Sequence, residues 1–274
     1  MKRWLPSLAE IESYRREGVL TVRGLLDSAE VNRYRRAVDA QVDKYLSGRS
    51  SEPSGYERIF IQLHLMWQRD ETLRELSLNP TLARIASALG EMSRVRIFLD
   101  QIIYKQPGAE PTRAHQDAPY LSFNDSRSLN CWVALDDTTR QNGALEYLIG
   151  SHHGGLLRLV HLDRQDELLR DFPALRQSPV RLIDAQAGDV VFHNCHIVHR
   201  AYANSTDLPR RAYSIQFMPD GALYNGWLHP FMERYGPTAG QALDYECFPL
   251  VHPSGATAEV ETQQERACRA NADE

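Results

Sequence analysis

Nowhere in this 274-residue chain does an apolar run approach the roughly 18 residues that a membrane-spanning helix needs. The N-terminus, MKRWLPSLAE, has basic residues but no apolar stretch behind them, so no secretory leader is expected and the expected setting is the cytoplasm. A basic surplus is missing too. The 31 Lys and Arg face 36 Asp and Glu, and the net charge of -5 argues against nucleic acid as the main partner. Cysteine is scarce. Cys131, Cys195, Cys247 and Cys268 form no CxxC pair and no regular spacing, which excludes a disulfide framework or zinc knuckle and leaves reduced thiols. There is no internal repeat and no low-complexity tract. What is present is 42% hydrophobic residues, enough for one substantial core.

The order of patterns along the chain points to a mainly β fold with flanking helices. Ser7 caps a short helix, SLAEIESYRREG, and the strand VLTVRG follows. Ser28 is expected to cap a longer helix whose apolar Val31, Tyr34, Val38, Val42 and Leu46 recur at helical spacing. A polar loop, SGRSSEPSGYE, leads to helical material expected through about residue 90. From residue 93 the chain reads as strands rich in β-branched and aromatic residues, separated by turns such as QPG, RQNG, AGD and NSTD and interrupted by a helical insert, DRQDELLRDFPALR. Helices followed by many short strands suggest a sandwich or barrel with helices packed outside it. The expectation is a single domain over residues 1–250 and a polar tail over 251–274.

Within the strand-rich part, RAHQDAPY places His115 and Asp117 two residues apart. If the strand continues through them, both side chains share one face while Gln116 points away. One imidazole and one carboxylate are two-thirds of a non-haem Fe(II) site, whose third ligand is usually a second histidine. The segment GDVVFHNCHIVHRAYANSTDLPRRA offers His193, His196 and His199. A dicarboxylate co-substrate would also need a fixed cation, and arginine's planar fork matches a carboxylate. Arg210 stands eleven residues beyond His199, whereas the same step reaches Asp207 from His196 and Asn204 from His193. Arg211 is the adjacent alternative, and strand alternation turns only one of the two inward. Taken alone, H-x-D also suits a capped turn or a satisfied polar pair.

Three stretches in order, YKQPGAEPTRAHQDAPY, NCWVALDDTTRQNGALEYLIGSHHGG and AGDVVFHNCHIVHRAYANSTDLPRRA, resemble the phytanoyl-CoA dioxygenase family of Fe(II)/2-oxoglutarate oxygenases, over roughly residues 8–220. The resemblance implies a double-stranded β-helix, or jelly roll, of cupin-like form with helices on one side. It implies Fe(II) held by His115, Asp117 and His199, and Arg210 anchoring the C5 carboxylate of 2-oxoglutarate. It carries Trp132 over as a residue lining the co-substrate pocket. Tyr104, on the strand before H-x-D, is added from that strand's expected inward face. The implied reaction consumes O2, releases succinate and CO2, and hydroxylates an aliphatic C–H of a small molecule. Related halogenases replace the carboxylate of H-x-D with a small residue, and Asp117 retains it.

Asn142–Gly143, Gly150-Ser151-His152 and Asn204 are expected to fix turns. His193 and His196 read equally as packed histidines or as groups near the site. DGALYNGWLHPFMERYG, at 220–236, supplies Asn225 and Trp227 as candidate substrate contacts. No CoA-binding basic patch is visible, and the aromatics suggest a medium-sized organic substrate. Nothing in the sequence assigns an oligomeric state. Two other readings keep the same fold: a cupin-like isomerase or hydrolase using zinc or manganese, and a non-catalytic binding protein. Arg210→Ala separates the first from an oxygenase. An oxygenase should need orders of magnitude more 2-oxoglutarate for half-maximal turnover, and a zinc isomerase should keep nearly full activity.

Overall fold

Residues 1–48, 55–162 and 167–251 are described by a computed structural model. Of the expected tail only Val251 is among them, and Cys268 lies outside. Cys131 and Cys195 are buried free thiols, and Cys247 is buried as well. Helix α1 (Leu8–Glu17) begins at Ser7, which forms a capping box with Glu10, and ends at Gly18 in the left-handed region (φ 82°). Helix α2 (Ser28–Ser47) is capped by Asp27 rather than Ser28. The reason is reciprocity: Glu30, three residues after Asp27, bonds back to the cap, whereas Ser28 would face Val31, which has no acceptor. Leu46 is 38% exposed, so the buried stripe of α2 ends at Val42. Asn79 and Pro80 divide the next helical stretch into α3 (Glu71–Ser77) and α4 (Pro80–Gly90).

Strand β1 (Val19–Val22) follows α1 directly. Strand β2 (Ile61–His64) stands where helix was expected. Its short alternation sets Gln62 and His64 toward one face and pairs with β3 (Val95–Lys105). Then come β4 (Thr112–His115), β5 (Leu129–Ala134), β6 (Leu145–Leu148), the short helix α5 (Glu167–Asp171), β7 (Val180–Ile183), β8 (Val190–Asn194), β9 (His199–Ala201), β10 (Arg210–Pro219) and β11 (Leu250–Val251). A large sheet runs β1-β8-β5-β10-β3-β11 with β2 also on β3, and a small sheet runs β4-β9-β6-β7. Every pairing is antiparallel. The architecture is a jelly roll with helices on the outer face of the large sheet. No helix among the described residues is long and apolar enough to cross a membrane.

Alternation in the large sheet separates its two faces. Cys131, Val133, Phe192, Tyr213, Ile215 and Phe217 pack with Val31, Val38, Leu73, Leu82 and Ile85 of the helices. Their neighbours Trp132, Ala134, Val191 and Ala212 point the other way, into the space between the sheets. Each large apolar side chain buried contributes about 1.5–3 kcal/mol. A one-residue slip would exchange those side chains for Asn130, His193 and Gln216, so the register is strongly held.

Asp100 is the exception on the helix side. Its Oδ2 accepts from Ser77 Oγ (2.5 Å), the Trp67 amide (2.8 Å) and the Tyr213 hydroxyl, while Oδ1 has no partner. Burial raises its pKa to about 6 despite these bonds. Because the folded pKa lies above the unfolded one, Asp100 favours folding only while it is protonated. That contribution is complete below about pH 4 and is lost as pH rises through about 6, roughly 3 kcal/mol in all. Urea unfolding at intervals across this range should show the decline in the wild type and its absence in Asp100→Asn.

Candidate metal and co-substrate site

The two sheets enclose a cavity of about 1130 Å³ including its open mouth. His115 and His199 are direct partners across β4 and β9, so both imidazoles leave the same face of the small sheet, with ring centroids 4.2 Å apart. Asp117 reaches them differently from the alternation expected. The strand ends at His115, and Asp117 lies in a helical turn conformation (φ -73°, ψ -38°) that swings its carboxylate back beside the rings. Gln116 does point elsewhere. Its amide nitrogen donates to the carbonyls of Gly155 (2.8 Å) and His196 (2.6 Å), and its oxygen accepts from the Leu157 amide (2.7 Å).

The hydrogen bonds prepare three donor atoms for one ion. His115 Nδ1 donates to the Arg113 carbonyl (2.8 Å) and His199 Nδ1 to that of Ile197 (3.2 Å), because a carbonyl can only accept. Both Nε2 lone pairs are therefore free, and they stand 3.7 and 3.6 Å from Asp117 Oδ1. Asp117 Oδ2 is taken by Gln216 Nε2 (2.9 Å), His193 Nε2 (3.0 Å) and Asn130 Nδ2 (3.1 Å). Cys195 donates to the Gln216 oxygen and the Tyr147 hydroxyl donates to His193 Nδ1, which fixes the orientation of both groups. Burial lowers the pKa of both His115 and His199 and keeps them neutral. Burial also works against ionised Asp117, but attraction to any proton carried by His199, His193 or His115, together with the His193 hydrogen bond, outweighs it and holds the carboxyl well below its usual range. Two neutral imidazole nitrogens and one carboxylate oxygen, their ligand atoms all within 4.8 Å of one another, fit a divalent iron with positions left open.

Arg210 lies in the same cavity, 2% exposed, with its guanidinium carbon 5.4 Å from the centre of the Trp132 ring. Among the described residues its Nε and Nη1 find no hydrogen-bond partner. Burial draws its pKa down to about 10, so it stays charged at neutral pH. A buried cation without a counterion is costly, and a carboxylate is the group that would satisfy it. Arg211 turns outward to Asp39 (2.6 Å) and Asp136 (3.1 Å), as alternation predicts.

Three of the expected residues do not reach the cavity. Tyr104 pairs with Arg211 across β3 and β10, which puts both on the outer face, where Arg211 lies over its ring. The residues of β3 that line the cavity are Leu99, Gln101 and Ile103. Asn225 instead ties its loop, donating to the Leu121 carbonyl and accepting from the Trp227 amide, and Trp227 is 50% exposed. His229 is the residue of that segment that lines the cavity. Asn142 and Asn204 tie their own turns as expected, whereas His152 reaches the end of α1 instead. Asn142 caps its own loop, Asn204 holds the Lys105 and Leu208 carbonyls, and His152 bonds to the Arg15 carbonyl. His196 bonds to Asn124 outside the cavity. Not anticipated were Asn130, Gln216 and Lys105. The last is fully buried opposite Arg210, and burial together with that neighbour lowers its pKa to about 6. Strand parity was the available signal for all three.

A jelly roll that gathers two histidines and an aspartate able to hold a metal ion, with a buried arginine in the same cavity, has the form of the non-haem Fe(II)/2-oxoglutarate oxygenases, whose cofactors are Fe(II), 2-oxoglutarate and O2. The chain belongs to the phytanoyl-CoA dioxygenase (PhyH) family, whose profile matches residues 14–212. It is similar to the non-haem α-ketoglutarate-dependent carbocyclase SnoK from nogalamycin biosynthesis, at 30% identity and a TM-score of 0.77, over 90% of this chain and 96% of that one. The epimerase SnoN, solved with Fe3+, α-ketoglutarate and nogalamycin RO, gives 26% and 0.71 over 89% and 97%. A methylphosphonate hydroxylase of Gimesia maris is 26% identical over 76% of this chain and 79% of its own. The chain spans 54% to 62% of the length of plant and mammalian phytanoyl-CoA dioxygenase relatives that it matches.

Removing one donor from Asp117 Oδ2 should weaken metal binding without removing a ligand atom. Gln216→Leu is expected to bind Co(II) about 10–100-fold more weakly in an absorption titration, with its far-UV spectrum unchanged. Equal affinity would mean that the three donors do not position the carboxylate.

Proposed function

We propose that this chain, as one domain over residues 1–250, oxidises an aliphatic C–H bond of a small organic molecule using Fe(II), 2-oxoglutarate and O2. The metal ligands are His115 Nε2, Asp117 Oδ1 and His199 Nε2, and Arg210 anchors the C5 carboxylate of the co-substrate beside Trp132. The observation that carries this reading is buried Arg210 in the same cavity as the triad, its Nε and Nη1 without a hydrogen-bond partner among the described residues. A metal hydrolase has no use for such a cation, whereas a dicarboxylate supplies the counterion it lacks. Held at the triad, Fe(II) would let O2 serve as the four-electron oxidant, two electrons coming from 2-oxoglutarate, which leaves as succinate and CO2, and two from the substrate C–H bond.

The chain's own residues bind, orient and exclude water. Nδ1 of each ligating histidine stays on a backbone carbonyl, which keeps Nε2 aimed at the metal. Three donors confine Asp117 to one free oxygen. Trp132 and Leu145 give the co-substrate's methylene chain an apolar wall. Hydroxylation is the leading outcome, supported by retention of Asp117 and by the hydroxylase relative. Ring closure is the second reading, favoured by the similarity to a carbocyclase along nearly its whole length. Product mass distinguishes gain of an oxygen atom from loss of two hydrogens.

An anaerobic titration tests the site. Metal-free protein given Fe(II) and then 2-oxoglutarate should develop a weak visible charge-transfer band only when both are present, and His199→Ala should not develop it. Tight zinc or manganese binding without any such band would overturn the oxygenase reading.

A further inference from the structure

The cavity wall away from Arg210 has a composition that narrows the substrate. Among the described residues, the lining carries three charged side chains, Asp117, Arg200 and Arg210. Asp117 faces the metal position, and Arg200 is neutralised by buried Glu146, whose Oε1 accepts from its Nε (2.6 Å). Much of the remaining wall is apolar or aromatic, with Phe60, Leu99, Tyr120, Leu121 and Leu162. A substrate with several charges, such as a CoA ester, would meet no counterion there.

One polar row crosses this wall. Gln62 Nε2 donates to Gln101 Oε1 (2.5 Å), Gln101 Nε2 to Ser214 Oγ (3.4 Å), Ser214 Oγ to Asn130 Oδ1 (2.9 Å), and Asn130 Nδ2 to Asp117 Oδ2 (3.1 Å). Every donor points toward Asp117, and the reason is electrostatic. A carboxylate only accepts, so Asn130 must turn its NH2 toward it and its oxygen toward Ser214. Each group up the row is then oriented in turn. At the far end Gln62 has committed its NH2, and its Oε1 has no partner among the described residues although it is not sealed from solvent. The free end of the row, on a residue that lines the cavity, is therefore an acceptor whose direction is set by a carboxylate four hydrogen bonds away.

We propose that Gln62 is a specificity-determining residue that accepts a hydrogen bond from a hydroxyl of an uncharged, ring-containing substrate, with Gln101 and Ser214 as the positioning residues that keep its oxygen turned to the cavity. This rests on the oxygenase reading and adds its substrate class. Gln62 touches substrate, and Ser214, which does not line the cavity, acts only through the row.

The test uses the Fe(II)- and 2-oxoglutarate-loaded protein under argon, with calorimetry of three probes: 2-naphthol, 2-methoxynaphthalene and palmitoyl-CoA. Wild type should bind 2-naphthol about tenfold more tightly than its methyl ether and palmitoyl-CoA no better than the ether, the size expected for one hydrogen bond in a shielded site. Gln62→Leu should bring the two naphthalenes to within about twofold. Ser214→Ala should reduce the preference part-way. Both variants should keep wild-type affinity for 2-oxoglutarate, which also reports that they fold. Equal binding of naphthol and ether by wild type, tighter binding of the CoA ester, or no binding of either naphthalene would each overturn the assignment. A wild-type protein that forms no 2-oxoglutarate band would instead overturn the oxygenase reading beneath it.

Discussion

One carboxylate oxygen joins the two halves of this molecule. Asp117 stands two residues beyond the end of a strand in the small sheet, yet its Oδ2 is held by Asn130, His193 and Gln216, from β5, β8 and β10 of the large sheet. Those three strands are neighbours, so their inward side chains converge on a single point between the sheets. The other oxygen is left to face two imidazoles brought together by direct pairing of β4 with β9. The relative placement of the sheets, the openness of the metal position and the direction of the amide row all depend on that division of labour within one side chain.

Buried charge explains how two adjacent arginines come to differ so completely. Arg211 is on the helix side and is satisfied by Asp39 and Asp136, so it serves the fold. Arg210 is carried inward without a counterion, a costly arrangement for a folded protein unless a ligand supplies the missing charge. A difference of one position in a strand separates structural from ligand-seeking chemistry.

Much of this was legible in the sequence, for stated reasons. The spacing of His115, Asp117, His199 and Arg210, together with the family resemblance, picked out four side chains that lie in one cavity. Alternation placed Arg210 and Arg211 on opposite faces. What could not be read was register. Nothing in β3 alone says which parity faces the core, and only the pairing of Tyr104 with Arg211 sets it outward. The turn at Asp117 was hidden for a similar reason, since H-Q-D continues a strand pattern acceptably and only the fold ends the strand at His115. Strand β2 was lost to the helical material around it, although Ile61, Gln62, Leu63 and His64 alternate.

The middle residue of H-x-D has its own role. Gln116 is 2% exposed and uses both ends of its amide to clamp the 155–157 segment and the His196 carbonyl on the far side of the turn. A map of mutational tolerance would therefore mark three consecutive positions, 115 to 117, as equally intolerant. Only two of them belong to the proposed metal site. The third is a hinge pin, and intolerance there measures the rigidity of the mounting.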